Sequence, residues 1–314
     1  MRAGCARSSA GIACCPHQEQ LVMSDQDAIV VDPWSPLRQF TAARIALGRA
    51  GHALPLREVL ALRLAHAKAR DAVHEPFDDA ALREQILAER SSTAQPSALA
   101  APSPPALAMP SEEIRAHAGE QGAAAAIAVH RLASCAVDRL EYLRRPDKGR
   151  TLDDESVALL SSRPANEYGR DVVVVVADGL SAIAVHAHAA PLVGALLARF
   201  AAAAIGVGAV CLVRQGRVAI GDEIGQHLRA RLALVIIGER PGLTAPDSLG
   251  AYLTYAPRPG LTDDSRNCVS NIRPAGLPPA AAADRIASLV REALRRQLSG
   301  VALKDDGAQL PPPP

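Results

Sequence analysis

Two short apolar runs constrain this chain more than anything else in it. Val172-Val-Val-Val-Val176 and Leu232-Ala-Leu-Val-Ile-Ile-Gly238 are aliphatic without polar alternation, the pattern of strands buried on both faces of a parallel sheet. Each runs straight into a turn, Asp178-Gly-Leu-Ser181 after the first and Glu239-Arg-Pro-Gly-Leu243 after the second. A buried strand that delivers a carboxylate and an arginine to its C-terminal end, where Pro and Gly force the chain round, is how an open α/β sheet builds a ligand crevice. Chemistry is therefore expected near Glu239.

Further strands are expected at Ala209 to Val213 and Ala251 to Tyr255, with helices near 152–162, 192–204 and 223–231 between them. Strands alternating with helices predict an α/β fold, a Rossmann-like and mostly parallel sheet. A last amphipathic helix carries Ile286, Leu289, Val290, Ala293, Leu294 and Leu298 on one face, with Gly300 past its end.

The N-terminal third reads as a separate helical region. From Pro36 onward Leu37, Phe40, Ile45 and Leu47 sit among arginines, and from Pro55 the residues Leu56, Val59, Leu60, Leu62, Leu64 and Ala67 mark a broad apolar helix face. A third helix is expected over Asp78 to Ala88. The domain plan is then a disordered extension over residues 1–35, a helical region over 36–90, a Pro/Ala-rich flexible insertion over 91–125, the α/β domain over 126–304 and a disordered tail over 305–314. Met23-Ser-Asp-Gln-Asp looks like an ordinary protein start, so Met23 is a candidate initiator; Met1 to Val22 lacks the sustained apolar stretch of a secretory signal.

Composition excludes several classes. A net charge of +1 and 3% aromatic residues offer neither a basic footprint nor stacking platforms for nucleic acid. The longest apolar stretch, Ala189 to Val213, is broken by Pro191, Arg199 and glycines, and reads as a helix followed by a strand rather than a membrane span. Cys5, Cys14, Cys15, Cys135, Cys211 and Cys268 have no disulfide-framework spacing. Cys14, Cys15 and His17 lack the second ligand pair of a structural zinc site. No G-x-G-x-x-G, phosphate-binding G-x-x-x-x-G-K-[ST] or G-x-S-x-G elbow is present.

Five segments in order resemble one family. They are Arg145-Pro-Asp-Lys-Gly-Arg-Thr-Leu152, Val176-Ala-Asp-Gly-Leu-Ser181, Arg214-Gln-Gly-Arg-Val218 with Asp222-Glu-Ile-Gly225, Gly238-Glu-Arg-Pro-Gly-Leu243, and Cys268-Val-Ser-Asn-Ile272. Together they resemble the small (light) subunit of ethanolamine ammonia-lyase, as does Ala43-Arg-Ile-Ala-Leu-Gly-Arg-Ala-Gly51 in the helical region. The insertion is where the chain departs from that family's pattern, in which the helices pass directly to the arginine-rich segment.

The resemblance implies a hetero-oligomer with a large, TIM-barrel subunit that holds ethanolamine and most catalytic residues, and against which the helical region over 36–90 packs; read from its residues alone, that region is equally a plain helical cap on the α/β domain. It implies adenosylcobalamin as cofactor and a radical elimination giving acetaldehyde and ammonia, with the protein binding, orienting and shielding the cofactor. Carried over residue by residue, cofactor contacts fall on Val218, Glu239 and Cys268. Glu239 is suited to accept from corrin amides, and Val218 acts through its main chain or by apolar packing. Cys268 packs or hydrogen-bonds at the cofactor's edge, since the resemblance implies dimethylbenzimidazole as the lower cobalt ligand and the sequence lacks Asp-x-His-x-x-Gly. Arg214, Arg240 and Asp178 lie at the same strand ends and are equally read as ion pairs and turn caps. Two rivals stay open: a nonenzymatic Rossmann-like cofactor-binding module, and a microcompartment scaffold, for which residues 1–30 offer no convincing targeting helix. The free cytoplasm is the expected compartment, with a bacterial microcompartment lumen as the other setting.

Overall fold

A computed structural model describes residues 29–41, 43–93, 127–162 and 169–303. Met23, the Cys14, Cys15, His17 cluster, most of the expected insertion and the C-terminal tail lie outside the described residues. The chain divides into two compact units, residues 1–63 and 64–314.

In the first unit, β1 (Ile29–Val30) pairs antiparallel with β2 (Arg49–Ala50). The helix expected from Pro36 is a single 3-10 stretch, Ser35–Phe40, with Pro36 in its first turn. It stops because Leu37 and Phe40 find no core, being 43% and 78% exposed, and because Ala46 and Gly48 then take positive φ. α1 (Leu56–His74) begins right after Pro55, as its missing N–H allows. Its leucine face is open, however: Leu56, Leu60 and Leu64 are exposed, and only Ala65 and Ala72 are buried.

The second unit is built on a six-stranded sheet in the order β3-β5-β4-β6-β7-β8. Its strands are β3 (Ala128–Ala133), β4 (Val172–Ala177), β5 (Val207–Arg214), β6 (Leu232–Gly238), β7 (Leu249–Tyr255) and β8 (Arg266–Ile272). The first four in that order run parallel, while β7 and β8 add antiparallel at one side. The sheet is thus mixed, because the turn after Glu239 folds the chain straight back beside β6 instead of sending it through a crossover helix.

Helices cover both faces. On one face Val172, Val174 and Val176 pack with α2 (Asp79–Thr93), α5 (Ala182–Ala202) and α7 (Pro279–Arg296). On the other, Val173 and Val175 join Leu152 and Leu160 beside α4 (Asp154–Ser161) and Ile220 and Ile224 of α6 (Ile220–His227). Every residue of β4 and β6 is buried, which is why neither sequence alternates. β7 and β8 do alternate: Leu249, Ala251, Leu253 and Val269 face the core, whereas Cys268 and Ser270 are exposed on the α6 side. α6 reaches that face at the start of β8, where Arg266 bonds Asp222.

Helix ends explain where the expected boundaries moved. α5 starts ten residues earlier than expected because Ser181 caps it, accepting from the Ala184 N–H at 3.2 Å. It is the one described helix long and apolar enough to cross a membrane, and more than half of it is buried inside this domain, so it is a core helix. α7 ends on Gln297 in the left-handed conformation rather than at Gly300. α2 runs to Thr93, three residues into the segment expected to be an insertion.

Candidate functional site

The crossover from β4 through α5 to β5 lies on one face of the sheet, and that from β5 through α6 to β6 on the other. The loops leaving β4 and β5 therefore diverge, opening a crevice at the C-terminal strand ends. A cleft of about 440 Å³ sits there. Gly179 and Leu180 from the β4 loop, Arg217 and Val218 from the β5 loop, and Gly238, Glu239 and Arg240 at the end of β6 line it, with Tyr142 and Tyr252 as side walls.

Backbone geometry holds this rim. Gly179 has φ +57°, and a Cβ there would stand 2.2 Å from the Gly238 carbonyl oxygen. The Leu180 N–H donates to that same oxygen at 2.9 Å. No side chain fits between the two strand ends, so the turn after β4 is fastened directly to β6.

Beneath the rim is a buried charged layer. Asp178 is 2% exposed and accepts from the Gly216 N–H at 3.1 Å, with Arg139 Nη1 at 3.5 Å. Burial pushes its carboxyl up to about 6, against the opposing pull of Arg139 and the backbone N–H groups around it. Arg139 also donates to the carbonyls of Val73 at 2.6 Å and Gly179 at 2.8 Å. The Tyr142 ring lies within cation–π range of both Arg139 and Arg217, 4.7 Å and 4.2 Å from their guanidinium carbons. Arg217 donates to the Tyr142 carbonyl at 3.0 Å, and the Tyr142 hydroxyl donates to the Gly216 carbonyl at 3.2 Å. This layer fixes the loop that presents Val218.

Glu239 is fixed from the other side. Its carboxylate accepts from the Ser248 hydroxyl and, at 3.4 Å, from the Asn271 N–H. Gly250 makes room for it: a Cβ there would lie 2.9 Å from Glu239 Oε1 and 3.1 Å from Tyr252 Cε2. Glu239 and Tyr252 thus converge over one glycine. Burial, with Cys268 and Glu239 adding to it, holds the Tyr252 phenol well above its usual range. It remains a neutral donor at any physiological pH.

The three residues singled out in the sequence fall in two places. Val218 and Glu239 line the cleft, Val218 half-buried against the α6-side core. Cys268 sits outside the cleft lining on β8, directly across from Tyr252. It is exposed as a residue, yet enough protein surrounds its thiol for desolvation to push it upward.

The other strand-end residues separate by role. Arg240 is at the cleft and exposed, Asp178 is the buried carboxyl beneath it, and Arg214 faces a different hollow with its Nε 3.8 Å from Asp79. His186 accepts from the Asp78 N–H at 3.0 Å and stacks on Phe77, while His188 Nε2 is 3.6 Å from Asp247. Neither lines the cleft, and no cluster of three metal-ligating side chains occurs among the described residues. Sequence reasoning passed over Tyr252, Arg217 and Tyr142. Tyr252 carried a signal, an aromatic with a polar tip between the apolar Ala251 and Leu253 of its strand.

A family model described as ethanolamine ammonia-lyase light chain (EutC) matches residues 31–103 and 106–304. The match therefore runs through most of the segment expected to be an insertion. The ethanolamine ammonia-lyase small subunit of Ralstonia nicotianae is 49% identical over 284 residues, 90% of this chain and 92% of its own length. Those of Azotobacter vinelandii and Pseudomonas fluorescens (strain Pf0-1) are 47% and 49% identical over 285 and 276 residues. The first alignment covers 90% of this chain and 92% of the relative, the second 88% of each.

Proposed function

The chain belongs to the light-chain family of ethanolamine ammonia-lyase, and from that premise we propose that it is the small subunit of an enzyme that eliminates ammonia from ethanolamine to give acetaldehyde. It contributes one wall of an adenosylcobalamin site that a large subunit completes. The observation that carries this reading is the cleft at the ends of β4, β5 and β6, rimmed by Glu239.

A corrin ring is broad and edged with amides, so its binding surface needs an open contour with a few fixed acceptors and donors. Glu239 is such an acceptor, immobilised by Ser248 and Asn271 and given room by Gly250. Val218 offers an apolar edge, and Arg217 and Tyr252 bring donors. When bound, adenosylcobalamin supplies the radical initiation that no side chain can. The work left to this chain is to grip the ring's rim, fix its tilt and keep water off one side. A four-stranded parallel core with helices on both faces, Rossmann-like in this reading, holds the wall rigid for that purpose.

The open leucine stripe of α1 supports a partner. Leu56, Leu60 and Leu64 recur every fourth residue on one exposed face, a surface that a large subunit would remove from water. Ethanolamine-dependent acetaldehyde release with adenosylcobalamin is expected from the co-assembled chains and from neither alone. Absence of activity in a well-assembled mixture would overturn the lyase reading in favour of a nonenzymatic cofactor-binding module. In the active assembly, Glu239→Ala removes a charged acceptor. It is expected to weaken cobalamin binding by about tenfold to a hundredfold, as titrated by absorbance.

A further inference from the structure

β8 ends on a bulge. Leu249 pairs with Ile272 and Ala251 with Val269, so β8 takes three steps where β7 takes two, and the bulge lies opposite Gly250, the glycine that makes room for Glu239. Asn271, within the bulge, has φ +57°, a left-handed conformation that asparagine tolerates better than most residues. Its N–H turns to Glu239, 3.4 Å from each carboxylate oxygen. The Asn271 carbonyl is tied down by the Leu277 N–H at 2.8 Å, and its side-chain oxygen accepts from Arg273 Nε at 3.1 Å. Arg273 also reaches the segment that follows Glu239. Its Nη1 donates to the Thr244 carbonyl at 3.3 Å and lies 3.5 Å from Asp247, whose other oxygen is 3.6 Å from His188 Nε2. Only 15% of the Arg273 side chain is exposed, so this is a seated guanidinium rather than a solvated surface pair. Asp247 directly precedes Ser248, whose hydroxyl is the second donor to Glu239.

We propose that Arg273 is a positioning residue for the cofactor: by fastening the bulge at Asn271 to the 244–247 segment, it fixes both donors that hold Glu239, the Asn271 N–H and the Ser248 hydroxyl, and so presets the carboxylate that accepts from the corrin rim. The inference rests on the corrinoid reading of the cleft. Arg273 is not part of the cleft lining, so it acts through Glu239. A free glutamate gives up side-chain freedom when it binds a ligand, and one already held between two donors gives up less. A carboxylate has about four acceptor directions, so the two bonds to Asn271 and Ser248 leave capacity for an amide N–H. Arginine suits the task because its planar fork bonds two segments at once, whereas a lysine ammonium is a single point on a flexible stem.

A double-mutant cycle tests this on the assembled complex with its large subunit, with cyanocobalamin titrated by absorbance and assembly of each variant verified by size-exclusion chromatography. Arg273→Ala is expected to weaken binding about fivefold in the parent and less than about twofold in a Glu239→Ala background, because the residue acts only through that carboxylate. Arg273→Lys should lose about as much as Arg273→Ala, and it carries the same cycle if the alanine variant does not assemble. An equal loss in both backgrounds would show that Arg273 acts on the cofactor or the fold without Glu239, and the positioning role is overturned. Full affinity in Arg273→Lys would show that a charge beside Asp247 suffices, which overturns the role of the two-segment fork. Unchanged affinity in the Arg273 variants, with Glu239→Ala still weakened, would remove this proposal and leave the corrinoid cleft standing. No change in either the Arg273 variants or Glu239→Ala would remove the corrinoid reading itself, and this proposal with it.

Discussion

Asp222→Ala is expected to destabilise the folded chain by about 3–5 kcal/mol, the cost of leaving a buried charge without its partner. Asp222 lies in the first turn of α6 and Arg266 opens β8, and their side chains are 2% and 3% exposed. The guanidinium grips both carboxylate oxygens at 2.7 Å, and its Nη1 also donates to Thr254 Oγ1 at 2.9 Å. This pair is what fastens the sheet's antiparallel extension to the helix packed on its parallel part. Removing Asp222 strands Arg266 in the interior, since Asp263, 3.6 Å from its Nε, is fully solvated and screens poorly. A double replacement by apolar residues of similar size, Asp222→Leu with Arg266→Met, should recover most of the loss, because such pairs earn little once their desolvation is counted. Urea unfolding of the three chains measures both effects. A loss under about 1 kcal/mol in Asp222→Ala would mean the pair is hydrated and replaceable.

That pair also explains part of what the sequence could convey. Asp222-Glu-Ile-Gly225 resembled a family motif, and each of its polar or small members has a structural task. Asp222 holds Arg266, Glu223 accepts the Leu152 N–H at 2.8 Å, and Gly225 lies so near Pro257 that a Cβ would come within 2.4 Å. A motif can mark a family through packing alone. The central strands were legible for a simple reason: β4 and β6 are buried on both faces, so periodicity gave way to unbroken aliphatic runs. β3 was passed over because it is an edge strand, where His130 and Arg131 interrupt the apolar pattern, and Arg131 is there to bond Asp79 at 2.8 Å. The 3-10 turn at Ser35–Phe40 was read as a helix because hydrophobic spacing alone cannot tell a buried stripe from an exposed one.

The site was legible by its loops and hidden in its walls. Glu239 and Val218 follow recognisable strand ends, so linear sequence was enough to place them at the crevice. Tyr252 reaches the same crevice only because β7 folds back antiparallel beside β6, bringing Gly250 opposite Ile237. Register depends on how the hydrophobic patterns of two strands match and on the turn that joins them, so neither strand's sequence gives it alone. Cys268 belongs to a recognisable segment, and the register sets it across from Tyr252, outside the cleft lining.

The buried carboxyl beneath that cleft should make stability fall as pH rises from about 4 to about 7, by about 2 kcal/mol from this group alone. Asp178 titrates near 6 in the folded chain because burial disfavours its charge more than Arg139, 3.5 Å away, favours it. Unfolded, it returns to about 3.9. Between those values the folded state holds a proton that the unfolded state has released, so raising the pH favours unfolding. The contribution is fully present below the unfolded value and lost once the pH passes the folded one. Glu141, Asp147, Asp284 and Glu292 are held lower by cationic partners and pull the opposite way, so the comparison must be a difference. Asp178→Asn keeps an acceptor for the Gly216 N–H and abolishes the titration. Urea unfolding of both chains at pH 4 and at pH 7 should show the variant gaining on the parent by about 2 kcal/mol across that interval. A constant difference would mean that Arg139 keeps the carboxylate charged throughout. The layer under Arg217 and Val218 would then be a permanent ion pair, with no proton to exchange when the cleft is filled.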